Sequence, residues 1–200
     1  MRIGIFGGTF NPIHKGHILL TEYCKTSANL DKIMLIPTYT PPHKVCSSLA
    51  NEKHRLNMCS IACSQLGDYM VSDIEIQRKG KSYTCDTLIS LKELYPQDEL
   101  FLIMGADMFL TLDKWRNPEI IFEKAKIITV PRDESDYNVL CDFYRKTLKP
   151  MNAEALILKN PVLSVSSTYI RENIDNFEQI ESLIDKNVYD YIVKNNLYRK

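Results

Sequence analysis

Apolar positions along the chain fall into short blocks that alternate with stretches of helical spacing. Residues 2–6 read as a short buried strand, and 32–36 (KIMLI) and 100–104 (LFLIM) as two more. Residues 126–130 and 155–158 have the same character, 69–76 alternates near its end as a strand does, and 162–164 is a further candidate. Between them, a helix is predicted over 15–27 with Ile18, Leu19 and Tyr23 facing inward. A second runs over 52–66, capped by Asn51, with Leu56, Cys59, Cys63 and Leu66 as its core face. Thr84 caps a third, with Leu88, Leu91 and Leu94 on one side and Pro96 just past its end. Asn117-Pro118 is a cap followed by a proline at the first helical position, opening a helix to Lys124. Helices over 135–148, 166–173, 178–184 and 188–195 complete the reading. Strands alternating with helices predict an α/β fold, a parallel sheet covered on both faces.

In such a sheet ligands sit beyond the carboxyl ends of the strands. Gly7-Gly8, Pro37-Thr38-Tyr39, Gly105-Ala106-Asp107 and Pro131-Arg132 each follow a predicted strand and are expected along one edge. The first of these carries the most chemistry. Gly7 and Gly8 read as a turn that lets backbone approach a ligand, and the helix after it points free N–H groups towards that turn. Strand, glycine turn and helix start make a phosphate site. His14 and His17, three residues apart, share one helix face. The spacing matches neither the dinucleotide-binding glycine pattern nor a P-loop. Far along the chain, Ser166, Ser167 and Thr168 stand at another helix start, with Arg171 one turn further on. They form either a capping run with an exposed arginine or a second phosphate grip.

Composition narrows the choice of ligand. The 200 residues fit one domain of ordinary size, and 44% hydrophobic with 25% charged residues is the balance of a globular chain. Lys and Arg number 25 and Asp and Glu 25, so no charge excess suggests a nucleic-acid track or a membrane surface, and any anion site is local. No apolar run approaches the ~20 residues of a membrane span. The chain opens on a strand rather than a leader, from which a cytoplasmic location is expected. Six cysteines without a C-x-x-C pair read as reduced, mostly buried thiols, and no protein metal site is expected.

Residues 7–17, GGTFNPIHKGH, resemble G-G-T-F-[DN]-P-x-H-x-G-H, the signature of the nucleotidyltransferase family with the H-x-G-H motif. Residues 165–171, VSSTYIR, resemble that family's I-S-S-T-x-I-R motif, with Val165 for the usual Ile. Three further segments resemble those of the bacterial nicotinate-nucleotide adenylyltransferase branch: Pro41-Pro42-His43-Lys44, the run from Ser82 to Leu88, and Gly105-Ala106-Asp107 with Leu112 and Trp115. The resemblance spans nearly the whole chain and implies a Rossmann-like nucleotidyltransferase sheet with a small helical part over 165–200. It implies AMP transfer from ATP to nicotinate mononucleotide, releasing pyrophosphate, with Mg²⁺ carried mainly by the ATP phosphates.

On that resemblance His14, His17 and Arg171 are the catalytic residues. Gly7, Gly8, Thr9, Phe10, Gly105, Asp107, Ser166, Ser167, Thr168 and Ile170 bind ATP, and Lys44, Thr84, Trp115 and Arg132 bind the acceptor. Each has a plainer reading. Trp115 is the single tryptophan, and it either packs or stacks on a pyridine ring. Thr84 either caps its helix or, with the free amides there, receives a carboxylate. Asp107 either caps its loop or accepts from a ribose hydroxyl, and Lys44 is either solvated or meets the mononucleotide phosphate. Arg132 precedes Asp133-Glu134 where relatives often carry Arg-Pro-Gly, which leaves its nucleotide contact open. The rivals are a pantetheine-phosphate adenylyltransferase, a cytidylyltransferase, and a nucleotide-binding regulator without turnover. Oligomeric state is left open.

Overall fold

A computed structural model describes residues 1–40, 49–133, 135–159 and 165–199. Six strands form one sheet: β1 (Arg2–Gly8), β2 (Lys32–Pro37), β3 (Tyr69–Val71), β4 (Glu99–Gly105), β5 (Lys126–Val130) and β6 (Ala155–Ile157). All five pairings are parallel, in the order β3-β2-β1-β4-β5-β6. The chain starts in the middle, builds outward to β3, then returns to lay β4 against β1. That return is the topological switch point, where an open α/β sheet presents a crevice. The register shows the crevice directly. β1 follows β2 as far as Gly8–Pro37, but its ladder with β4 stops at Ile5–Leu102. Phe6 to Gly8 and Ile103 to Gly105 therefore splay apart, each still paired on its far side.

Alternate residues of these strands feed two separate cores, one on each face. Ile33, Leu35, Phe101 and Ile103 point to one side; Met34, Ile36, Leu102 and Met104 to the other. The first face is covered by α1 (Lys15–Ser27), α2 (Glu52–Cys63), α8 (Ser167–Glu172), α9 (Phe177–Ile180) and α10 (Lys186–Lys194). The second is covered by α3 (Ile74–Arg78), α4 (Thr84–Leu94), α5 (Ala106–Phe109), α6 (Pro118–Lys124) and α7 (Asp136–Phe143). No helix among the described residues is long and apolar enough to cross a membrane.

Several local expectations are corrected. Gly7 and Gly8 are not a turn but the last two residues of β1, and the sharp feature comes two residues later, where Phe10 takes φ 47°. Leu19 is exposed, because the buried face of α1 is that of its small residues Gly16, Thr21 and Cys24 instead. The buried stripe of α2 is Arg55, Met58, Cys59 and Cys63; Leu56 and Leu66 are only half-buried and the helix ends at Cys63. The strand at Tyr69 ends at Val71, and Asp73 leads into α3, which turns Glu75 inward. Tyr83 rather than Thr84 is the cap of α4, and Leu94 at its far end is exposed. The helix expected over 135–148 breaks after Phe143 into a wider π-turn, Tyr144–Leu148. The C-terminal helices are displaced to Phe177–Ile180 and Lys186–Lys194. Of the six cysteines, Cys24, Cys59, Cys63, Cys85 and Cys141 are free thiols; Cys46, the 162–164 strand and the Pro41-Pro42-His43-Lys44 loop lie outside the described residues.

Candidate active site

The crevice has two ends. At the first, the segment after β1 folds over its own strand. Phe10 is buried, with its ring edge-on to Phe6 (5.7 Å between centroids) and to His17 (5.1 Å). His14 caps α1 and is 6% exposed, which leaves little of the ring to water. The two imidazoles stack, centroids 3.6 Å apart and planes 15° from parallel. The main-chain N–H of His14 donates to Nδ1 of His17 at 3.2 Å. A neutral His17 ring therefore carries its proton on Nε2. Burial lowers the His14 pKa to about 4, so this ring is uncharged at neutral pH. The pair can donate hydrogen bonds without placing two cations against each other.

The second motif meets the first here. Arg171 donates through Nη1 to the main-chain carbonyl of Asn11 at 2.8 Å and through Nη2 to Thr168 Oγ1 at 3.1 Å. Ser167 Oγ donates to the carbonyl of Pro12 at 3.1 Å, while Ser166 caps α8 by accepting from the N–H of Tyr169. The contact is close because residue 16 has no side chain: a Cβ there would lie 3.0 Å from Val165 and 3.2 Å from His14 Nδ1. Two motifs some 150 positions apart thus share one end of the crevice. Ile170 is a correction to the predicted ligand contacts. It is fully buried in the core and its N–H is bonded to the carbonyl of Ser166, so it anchors α8 rather than facing a nucleotide.

Gly7 and Gly105 flank the opening, and a Cβ added at either would meet nothing within 4 Å. Thr9 is half-buried beside them. Asp107, in the first turn of α5, pairs with Arg132 at the end of β5; both side chains are more than half exposed. Asp133 then takes the N–H groups of Ser135 and Asp136, which gives this turn its own cap in place of a Pro-Gly.

At the other end, Trp115 leaves a short 3₁₀ turn (Leu112–Lys114), half-buried, its Nε1 donating to Thr111 Oγ1 at 3.3 Å. The next residue ties this loop to the start of α4: the Arg116 guanidinium lies 4.5 Å from the Tyr83 ring centroid and 3.9 Å from Asp86. Thr84 is the first helical residue of α4, so its amide is among those with no intrahelical partner. Trp115 and Thr84 are thereby held on neighbouring elements. Lys44 lies outside the described residues.

Sequence reasoning missed the polar groups buried behind these surfaces. Arg55 is 1% exposed and donates to three carbonyls: Ala50 at 3.0 Å, Thr9 at 2.9 Å and Tyr39 at 3.1 Å. One guanidinium thus joins the chain after β1, the chain after β2 and the approach to α2. Burial pulls its pKa down, yet a guanidinium stays charged and needs those carbonyls. Behind α4, Thr87 Oγ1 donates to Glu75 Oε1 at 2.7 Å, and Arg78 donates to Thr87 at 2.9 Å. Burial holds the Glu75 carboxyl above its usual range, against hydrogen bonds from Ser82 and Thr87 and the charge of Arg78. The signal available in the sequence was a charge on an otherwise apolar stripe, as with Arg55 among Met58, Cys59 and Cys63. Among the described residues, no cluster of His, Cys, Asp or Glu is suited to hold a metal ion.

With this geometry in hand, the likeness to known proteins is specific. Residues 5–173 match the family model described as cytidylyltransferase-like. A curated protein of Carboxydothermus hydrogenoformans, named "Probable nicotinate-nucleotide adenylyltransferase", is 39% identical over 198 residues, covering 99% of this chain and 98% of the relative. One of the same name from Lachnoclostridium phytofermentans is 36% identical over 197 residues, covering 98% of each. Among solved structures, Plasmodium falciparum nicotinic acid mononucleotide adenylyltransferase complexed with NaAD aligns with TM-score 0.75 at 23% identity, over 98% of this chain and 97% of that one. At that identity the likeness is one of fold.

Proposed function

The chain belongs to the cytidylyltransferase-like family, and on that premise we propose that it works as a nicotinate-nucleotide adenylyltransferase. It transfers AMP from ATP to nicotinate mononucleotide, giving nicotinate adenine dinucleotide and pyrophosphate. The observation that carries this reading is the meeting of the two motifs, Arg171 on the carbonyl of Asn11 three residues before the His14–His17 stack, at the crevice between β1 and β4.

The attacking group is a phosphate oxygen of the mononucleotide. Its second pKa is near ~6, so it is already ionised at neutral pH and needs no general base. It bonds to the α-phosphorus of ATP as the bridging bond to the β-phosphate breaks, and pyrophosphate leaves with that electron pair. The task left to the protein is positioning and charge stabilisation. His14 and His17 donate to the triphosphate, His17 through Nε2 nearest the α-phosphate. Arg171, Ser166, Ser167 and Thr168 hold the departing phosphates. Main chain at Gly7, Gly8, Thr9 and Phe10 lines the approach, with Gly105 opposite. Asp107 accepts from a ribose hydroxyl, with Arg132 beside it. Mg²⁺, where it accompanies ATP as part of the substrate, would supply charge neutralisation at the departing phosphates that Arg171, Ser166, Ser167 and Thr168 hold.

The acceptor lies at the other end, its ring on Trp115 and its carboxylate at the free amides that begin with Thr84, with Lys44 meeting its phosphate. Nicotinamide lacks that carboxylate, so this end of the crevice selects between the two pyridines.

Turnover with ATP and a panel of nicotinate mononucleotide, nicotinamide mononucleotide, pantetheine phosphate and choline phosphate tests the reading, scored by pyrophosphate release and product mass. Nicotinate mononucleotide is expected to be used with the highest kcat/KM. Preference for any other member, or no pyrophosphate with any of them, refutes it.

A further inference from the structure

The last residues of the described chain return to the phosphate end of the crevice. After α10 the backbone turns back on itself: Asn196 takes φ 50° and Tyr198 φ 65°. Asparagine tolerates the left-handed region, whereas a tyrosine there is an outlier that its surroundings must enforce. Here the surroundings are specific. The Tyr198 hydroxyl donates to Oδ1 of Asn11 at 2.8 Å, and burial pushes the phenol well above its usual pKa. The same Oδ1 accepts the N–H of Ala50 at 3.0 Å. Asn11 is 4% exposed, and its main-chain carbonyl is the one that receives Arg171.

Asn11 is therefore a hub. Its amide oxygen takes two donors from distant parts of the chain, and its carbonyl aims the arginine that faces the departing phosphates. We propose that Tyr198 is a positioning residue for the triphosphate: its hydroxyl fixes Asn11, and through the Asn11 carbonyl it sets the guanidinium of Arg171. The C-terminal tail thus forms part of the ATP site without touching ATP. This rests on the function proposed above only in taking the ligand to be ATP.

The test is Tyr198→Phe, which removes one hydroxyl and keeps the ring. Calorimetric binding of a non-hydrolysable ATP analogue is read beside the separate KM values for ATP and nicotinate mononucleotide, with a urea midpoint to monitor the fold. Loss of one buried hydrogen bond is expected to weaken analogue binding and raise the KM for ATP by roughly tenfold, with the acceptor KM moving less than about twofold. Asn195→Ala is the control. It removes the side-chain hydrogen bond to the Tyr191 carbonyl at the start of the same tail and leaves Asn11 alone, so both constants should stay within about twofold of wild type. In an Arg171→Lys background the Tyr198→Phe effect should largely vanish, because the hydroxyl acts through Arg171. Unchanged ATP affinity in Tyr198→Phe, equal loss for both substrates, an equal effect of Asn195→Ala, or additivity with Arg171→Lys would each overturn the proposal. Failure of the functional reading would show differently, as absent turnover by the wild type.

Discussion

A neutral imidazole and a cation do different work against a triphosphate, the ligand proposed for His14 and His17, and what each ring offers is set by a separate means. His14 is uncharged because it is buried, and His17 offers Nε2–H because its Nδ1 is occupied by a main-chain N–H. The first fact has a consequence for stability. In the unfolded chain this imidazole titrates near 6.5, in the folded chain near 4. Between those values the unfolded chain binds a proton that the folded one refuses. Stability contributed by keeping His14 neutral is therefore complete above pH 6.5 and falls as the pH drops towards 4, by about 3 kcal/mol. Urea titrations at pH 7 and 4.5 should show a larger acid loss in the wild type than in His14→Gln; equal losses would assign the acid sensitivity to other groups. The second fact bears on rate. His17→Ala removes a preorganised donor and is expected to lower kcat by roughly 10²-fold, and near-normal turnover in a folded variant would take His17 out of the chemistry. At this scale the sequence disclosed the pairing of His14 and His17 through their spacing. It did not disclose the 3.6 Å stack, nor the burial that sets the charge state, because both depend on how the segment after β1 folds, with Phe10 turned edge-on to His17.

Between elements, the decisive contact is that of α1 with the segment entering α8. Gly16→Ala sets two effects against each other. Alanine in a helix is worth about 1 kcal/mol over glycine, but its Cβ would stand 3.0 Å from Val165, which has to yield by a few tenths of an ångström. Stability should change little while the two motifs move apart, and kcat should fall by about tenfold as the donors lose registry with the phosphates. Parallel thermal melts and turnover check this; a variant that loses both together, or neither, contradicts it. Strands β2, β4 and β5 were legible because residues buried on both faces read as unbroken apolar runs. What could not be read was where a polar residue turns inward. Glu75 makes α3 out of an expected strand because its carboxylate must reach Thr87, and Arg55 rotates the buried stripe of α2 because three carbonyls await it. Both are long-range demands, invisible to a local pattern.

Across the whole molecule the sheet separates two tasks. The chain carries no net charge, so no general field draws polyanions in, and each must be gripped locally. The proposed donors for the triphosphate come from β1, α1 and α8 on one side; the proposed acceptor surface comes from α4 and the loop before α6 on the other. The crevice lies between because β4 is the strand at which the winding reverses. Arg55 bridges the sides from behind by holding the carbonyls of both Thr9 and Tyr39, and Tyr39 in turn donates its N–H to Ser82 Oγ, next to the cap of α4. If the division is real, perturbations should stay on their own side. Trp115→Ala gives up a stacking surface worth on the order of 1 kcal/mol, so the KM for nicotinate mononucleotide should rise by roughly fivefold while that for ATP moves less than about twofold. Arg171→Ala should do the converse. Initial-rate matrices over both substrates separate the two constants. A Trp115→Ala enzyme with a weakened hold on ATP and an intact one on the mononucleotide would mean that the crevice is occupied the other way round, with the nucleoside triphosphate on the tryptophan loop.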